Sequence, residues 1–385
     1  MSARKRHAIA SDHVFDGTMV HRNTAVVIED QNIVALTSCA DLPATISVHR
    51  LPGDCWLAPG FIDLQVNGGG DVLFNDVPTA EGIRTIAAAH RRFGTTALLP
   101  TLISDTPEKM RTALAAIQQL IGCEPSVLGI HLEGPFLSTE KPGVHAVRNI
   151  RAPTAEDTAL LTERRRGAVL VTLAPERVPP DFVRQLTNAG VRVSLGHSMA
   201  TYAQTRAAMR EGMTGFTHLF NAMRPLASRE PGPIAAALES AEASFGMIVD
   251  GVHVDPVMLR LALRGAARPI LVTDAMPPVG GAHAVFALDG KDITAKDGAC
   301  VRSDGVLAGS ALDMATAVRN CVRLLDVSLE LALRFASVHP AKFLGLDHRR
   351  GRLAPGCRAD MVAIDPNGIT VMQTWVGGCE ADVGH

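Results

Sequence analysis

A chain of 385 residues, 47% of them hydrophobic, can bury a large domain and a smaller appendage, which excludes a disordered or fibrous protein. Its 37 basic and 39 acidic residues leave a formal net charge of −2, so no overall field draws it to nucleic acid or an anionic membrane, and any anion site must be local. No apolar leader or run of roughly 18 apolar residues is present, and seven cysteines lie scattered without a C-x-x-C pair; the expectation is a cytoplasmic protein with reduced, mostly buried thiols and no disulfide framework.

From Arg6 to about Leu57, short β-rich runs such as 24–28 and 32–36 alternate with turn residues, the texture of a small sheet domain. After Ala58-Pro-Gly60 the texture changes to strand-like segments separated by helical stretches, among them 80–93, 107–121 and 203–211. The strand candidates are 61–66, 97–101, 127–132, 169–173, 192–195, 215–218, 245–248 and 270–273. Eight such units suit a (β/α)8 barrel. Past Pro340 the helical pattern stops, and a turn at 351–356 enters a strand at 360–364, predicting that the C-terminal tail rejoins the N-terminal sheet.

In such a barrel, polar residues at the C-terminal ends of strands converge on one open mouth. Glu133 ends the run Gly129-Ile-His-Leu-Glu133; Val193, Leu195 and His197 alternate along one face; His218 closes Gly215-Phe-Thr-His218; Asp274 follows Ile270 and Val272. Two imidazoles and a carboxylate with an open position make a catalytic set for zinc or a similar divalent ion, which assigns Glu133, His197 and His218 as metal ligands. A single histidine beside an apolar run is more often a satisfied core residue. Four ionisable groups at four strand ends are costly in one mouth unless a cation compensates them, so the joint pattern outweighs its parts.

The segments Pro59-Gly-Phe-Ile-Asp-Leu-Gln65-Val-Asn67-Gly, His131-Leu-Glu133-Gly-Pro-Phe, Leu195-Gly-His197-Ser, Thr217-His218-Leu-Phe-Asn221-Ala222-Met, Asp250-Gly-Val-His253 and Thr273-Asp274-Ala resemble those of the N-acetylglucosamine-6-phosphate deacetylase family, a branch of the amidohydrolase superfamily. The resemblance covers nearly the whole chain, down to Pro355-Gly-Cys-Arg-Ala-Asp360. It implies an α/β fold in which a (β/α)8 TIM-like barrel at 58–342 carries a small β-sandwich domain formed by 1–57 and 343–385. It also implies hydrolysis of the acetamide of N-acetyl-D-glucosamine 6-phosphate. Asp274 would act as general base and then general acid, and His145 would hold the acetyl carbonyl or sugar. Asn221, Ala222, Arg229 and His253 would hold the phosphate, with Leu312 among the substrate contacts; Arg224 competes with Arg229, and Arg229 could serve a neighbouring subunit of a homodimer or higher homo-oligomer.

The wider superfamily often opens its barrel with histidine ligands for a second metal, whereas here the first strand reads Asp63-Leu-Gln65-Val-Asn67. Amide oxygens are poor substitutes for imidazole. One divalent ion per subunit is therefore expected, zinc first, with iron, manganese and cobalt open, and with Gln65 either reaching the metal through a water or bracing its strand. Three other readings stay open: the galacto epimer as substrate, a cyclic-amide hydrolase, and a non-catalytic scaffold. The missing first-strand histidines weigh against the second, and the four polar strand ends against the third.

Overall fold

The computed structural model describes residues 6–380, and the chain divides into two compact units. One comprises the residues up to Asp63, Ala87–Ala97 and the residues from Asp313. Its sheet runs in the order Cys379–Glu380, Thr370–Val376, Met361–Asp365, Trp56–Pro59, Arg6–Phe15, Val20–Glu29, Asn32–Ser38, with Ser47–Arg50 also paired to Arg6–Phe15. The C-terminal strands thus join the N-terminal ones through the antiparallel pair that sets Ala363 opposite Leu57. Period-2 alternation gives the sheet an apolar core on each face: Ile9, Val26 and Ile28 on one, Ala8, Ala10, Ala25 and Val27 on the other. Helices Met314–Leu325, Leu329–Ala336 and Val338–Leu344 belong to the same unit.

The other unit, Leu64–Ile86 and Leu98–Leu312, holds the parallel sheet. Its strands follow chain order from Phe61–Val66 through Thr95–Ile103, Gly129–Glu133, Ala168–Leu173, Arg192–Leu195, Gly215–Phe216 and Ser244–Met247 to Arg268–Leu271. A parallel bridge between Val66 and Ala275 brings the last strand round to the first, so the sheet nearly closes into a barrel. Strands covered on both faces read as continuous apolar runs, and every residue of Thr95–Ile103 is buried. The intervening helices begin at readable caps. The Thr106 hydroxyl accepts from the Lys109 N–H ahead of Pro107, and Thr201 and Gln204 form a capping box. Among the described residues no helix is long and apolar enough to cross a membrane.

An element absent from the sequence reading follows the last barrel strand. Val285–Leu288, Lys291–Lys296, Ala299–Arg302 and Leu307–Ser310 form a four-stranded antiparallel sheet. Its first two turns are Asp289-Gly290 and Asp297-Gly298, all four residues at positive φ, the two-residue hairpin signal. Its core of Leu288, Ile293, Cys300 and Ala308 continues into Leu73, Ile103 and Met276.

Candidate active site

Three of the four polar strand-end residues leave their strands in the left-handed region: His197 at φ 48°, His218 at 32° and Asp274 at 53°. Such backbone turns a side chain sharply out of the strand direction, and histidine and aspartate tolerate it better than β-branched residues do. The turns converge. His218 Nε2 lies 2.9 Å and His197 Nε2 3.2 Å from the same oxygen, Glu133 Oε1, and the two imidazole nitrogens are 3.2 Å apart. All three residues are buried. Burial favours the neutral acid, yet the bonds from His197 and His218 hold the Glu133 carboxyl well below the ordinary range.

His197 is fixed from behind. Its Nδ1 donates to the Lys141 carbonyl at 2.8 Å, which fixes the ring with Nε2 turned toward Glu133. Gly143, at φ 55°, lies so close that a Cβ there would sit 3.1 Å from His197 Cε1.

The first strand supplies amides rather than ligands. Gln65 Nε2 donates to Glu133 Oε2 at 3.2 Å and to Asp274 Oδ1 at 3.0 Å, and Asn67 Nδ2 donates to Asp274 Oδ1 at 2.6 Å. Asp274 Oδ1 is thereby committed to the amides. Burial first, and the nearby Glu133 charge second, push the Asp274 carboxyl up to about 6.

His145 stands edge-on to His197, ring centroids 4.4 Å apart. Its Nδ1 accepts from the Ser104 backbone N–H at 3.2 Å and lies 2.8 Å from the Ser104 hydroxyl, so the ring proton resides on Nε2. Burial, helped by His197, lowers its pKa to about 3, keeping the ring neutral.

Asn67, Glu133, His145, His197, His218 and Asp274 open onto one cavity of about 480 Å³, which Asn221, Ala222 and His253 also line. His253 is held by Asp250, whose Oδ2 accepts from Nδ1 at 2.6 Å while Oδ1 accepts the Val252 and His253 backbone N–H groups. Gly305, Val306, Leu307 and Gly309, from the small antiparallel sheet, and the loop 140–144 complete the walls. Two expected substrate residues are not brought to this cavity in their own chain. Arg229 is exposed, and Leu312 is buried with its N–H on Ser310 Oγ. Arg224, the competitor, is engaged elsewhere, its guanidinium donating to the Met199 and Ala200 carbonyls. Residue type does not mark Ser104, Lys141 and Asp250 as supports: Lys141 acts through its backbone carbonyl, Ser104 through its backbone N–H and hydroxyl, and Asp250 through His253.

The donor set suits a metal ion. Two imidazole nitrogens and a carboxylate oxygen within 4.8 Å of one another, all buried, form the one such group among the described residues. Two ring nitrogens that face one carboxylate oxygen are a donor set that a divalent ion fits.

A family model described as "Amidohydrolase family" matches residues 56–381. The chain is 41% identical to an N-acetylgalactosamine-6-phosphate deacetylase of Shewanella sp. (strain ANA-3), covering 92% of this chain and 90% of that protein. The crystal structure of N-acetylglucosamine-6-phosphate deacetylase from Pasteurella multocida superposes with a TM-score of 0.93 at 34% identity, over 97% of this chain and 98% of that one. A variant of the Mycobacterium smegmatis enzyme of that name, solved in complex with N-acetyl-D-glucosamine-6-phosphate, gives 0.89 at 34% identity, over 98% and 99%.

Proposed function

The chain belongs to the amidohydrolase family, and from that premise we propose that it hydrolyses the acetamide of N-acetyl-D-glucosamine 6-phosphate to D-glucosamine 6-phosphate and acetate. The observation that carries the reading is the convergence of Glu133, His197 and His218 beside Asp274 and His145 in one cavity that Asn221, Ala222 and His253 also line.

Glu133, His197 and His218 hold one divalent ion, zinc by preference, with Gln65 bracing the carboxylates. When bound, such an ion acidifies water and polarises a carbonyl. The chain's own groups do the rest. As the water oxygen bonds to the acyl carbon, its proton passes to Asp274. The receiving oxygen is Oδ2, because Gln65 and Asn67 occupy Oδ1. His145, neutral and protonated at Nε2, donates to the carbonyl oxygen as negative charge grows there. Asp274 then returns the proton to the sugar nitrogen as the C–N bond breaks, so the product leaves as an amine rather than an amide anion.

Asn221, the Ala222 backbone and His253 hold the phosphate locally, without any large net charge. Arg229 joins them from a neighbouring copy, which makes the working form a homodimer; its exposure in its own chain supports this. Seven unpaired cysteines support a reducing, cytoplasmic setting.

The galacto epimer is the second reading, favoured by the name of the 41% identical Shewanella relative. Amine release by zinc-reconstituted protein from N-acetylglucosamine 6-phosphate, N-acetylgalactosamine 6-phosphate and free N-acetylglucosamine separates the readings. The expected order of kcat/KM is gluco phosphate, galacto phosphate, free sugar. Faster turnover of the galacto compound would install the second reading, and no release from either phosphate would end both.

A further inference from the structure

We infer that Ile103, Val144 and Met276 seat the methyl of the substrate's N-acyl group and set the acyl length that is accepted; the inference rests on the hydrolase reading above. All three line the cavity. Ile103 and Met276 are buried, and all three pack on the apolar cluster that includes Leu288, Ile293 and Cys300, so the wall is backed by a filled core and cannot recede to admit a larger group.

Each residue is also tied along the chain to a group placed at the reacting atoms. Val144 precedes His145, Ile103 precedes the Ser104 that bonds His145, and Met276 lies two residues beyond Asp274. Met276 is pinned: its N–H donates to the Ser310 carbonyl at 2.9 Å, and the Gly309 backbone approaches so closely that a Cβ there would lie 2.8 Å from Met276 Cγ.

Asn221 and His253 line the same cavity. A phosphorylated N-acyl amino sugar carries hydroxyls, a phosphate, an amide and a single methyl. Seating that methyl on this wall removes apolar surface from water and leaves the amide carbon between Asp274 and His145. The reverse placement would press hydroxyls against Ile103 and Met276 without hydrogen-bond partners.

The test compares kcat/KM for the N-acetyl and N-butyryl derivatives of glucosamine 6-phosphate, competing in one assay, for wild type, Met276→Ala, Ile103→Ala and Val144→Ala. The ratio within one sample is independent of active fraction and metal loading. Wild type should favour acetyl, and Met276→Ala and Ile103→Ala should each raise the butyryl-to-acetyl ratio about tenfold or more, the scale of methylene discrimination in apolar pockets. Should one variant fail to fold, the remaining two decide on the same ratio. Ratios within twofold of wild type in every folded variant would overturn the placement and leave the wall facing the ring carbons. A wild type inactive on the acetyl compound would instead refute the hydrolase reading.

Discussion

At the scale of single residues, the site works because amides and backbone carbonyls hold the ionisable groups in fixed roles. Asp274 shows this most clearly, with one of its oxygens bound by both Gln65 and Asn67. Asp274→Asn keeps the shape but removes the base, so kcat should fall by roughly 10²- to 10⁴-fold while zinc content stays near that of wild type. A variant retaining most of its kcat would remove Asp274 from the proton path. Glu133, His197, His218 and Asp274 are legible in the sequence because each ends an apolar strand. The Lys141 carbonyl behind His197 is not, since every residue has a carbonyl and only the fold aims this one. Arg224 and Arg229 are likewise indistinguishable by residue type, and they part only when the guanidinium of Arg224 is seen on the Met199 and Ala200 carbonyls.

At the scale of elements, a layer of hydroxyls under the site ties barrel strands together. His131 Nε2 lies 2.7 Å from Thr172 Oγ1 and Nδ1 3.1 Å from Thr101 Oγ1, and Thr172 continues to Thr217 and Thr217 to Ser194, each at 2.7 Å. His131→Leu would remove one partner from each of the buried hydroxyls of Thr101 and Thr172, which keep the Val66 N–H and Thr217, at a net cost of about 0.5–1.5 kcal/mol for each hydrogen bond lost. Urea unfolding should show the lower midpoint with an unchanged slope; a midpoint equal to wild type would mean that the layer contributes nothing to stability. Close approach sets another limit that composition hides, for a Cβ on Gly129 would lie 1.8 Å from the Ala168 carbonyl of the adjacent strand. The barrel strands and the helices at Ala80, Pro107 and Tyr202 stand out by apolar runs and by 3.6-residue periodicity. The small sheet from Val285 to Ser310 does not, because its strands are only four to six residues long and Lys291–Lys296 is mostly exposed and polar. Its two Asp-Gly turns are the signal that a sequence reading can use.

At the scale of the molecule, the decisive pairing is the one with great sequence separation. Val66 meets Ala275 across the barrel seam, and this seam puts Gln65 and Asn67 of the first strand beside Asp274 after the last. The period-2 rule puts the two amides on one face but names no partner. The return of the C-terminal tail to the N-terminal sheet is readable from its turn and strand, whereas its pairing of Ala363 with Leu57 is a register that local patterns leave undetermined. The account as a whole depends on one cation held by Glu133, His197 and His218. Elemental analysis after zinc loading and exhaustive dialysis tests it most directly, run on wild type and on His218→Ala. One zinc per chain in wild type and almost none in a folded His218→Ala variant is the predicted result; a variant that retains a full equivalent, or a wild type that retains none, would contradict it.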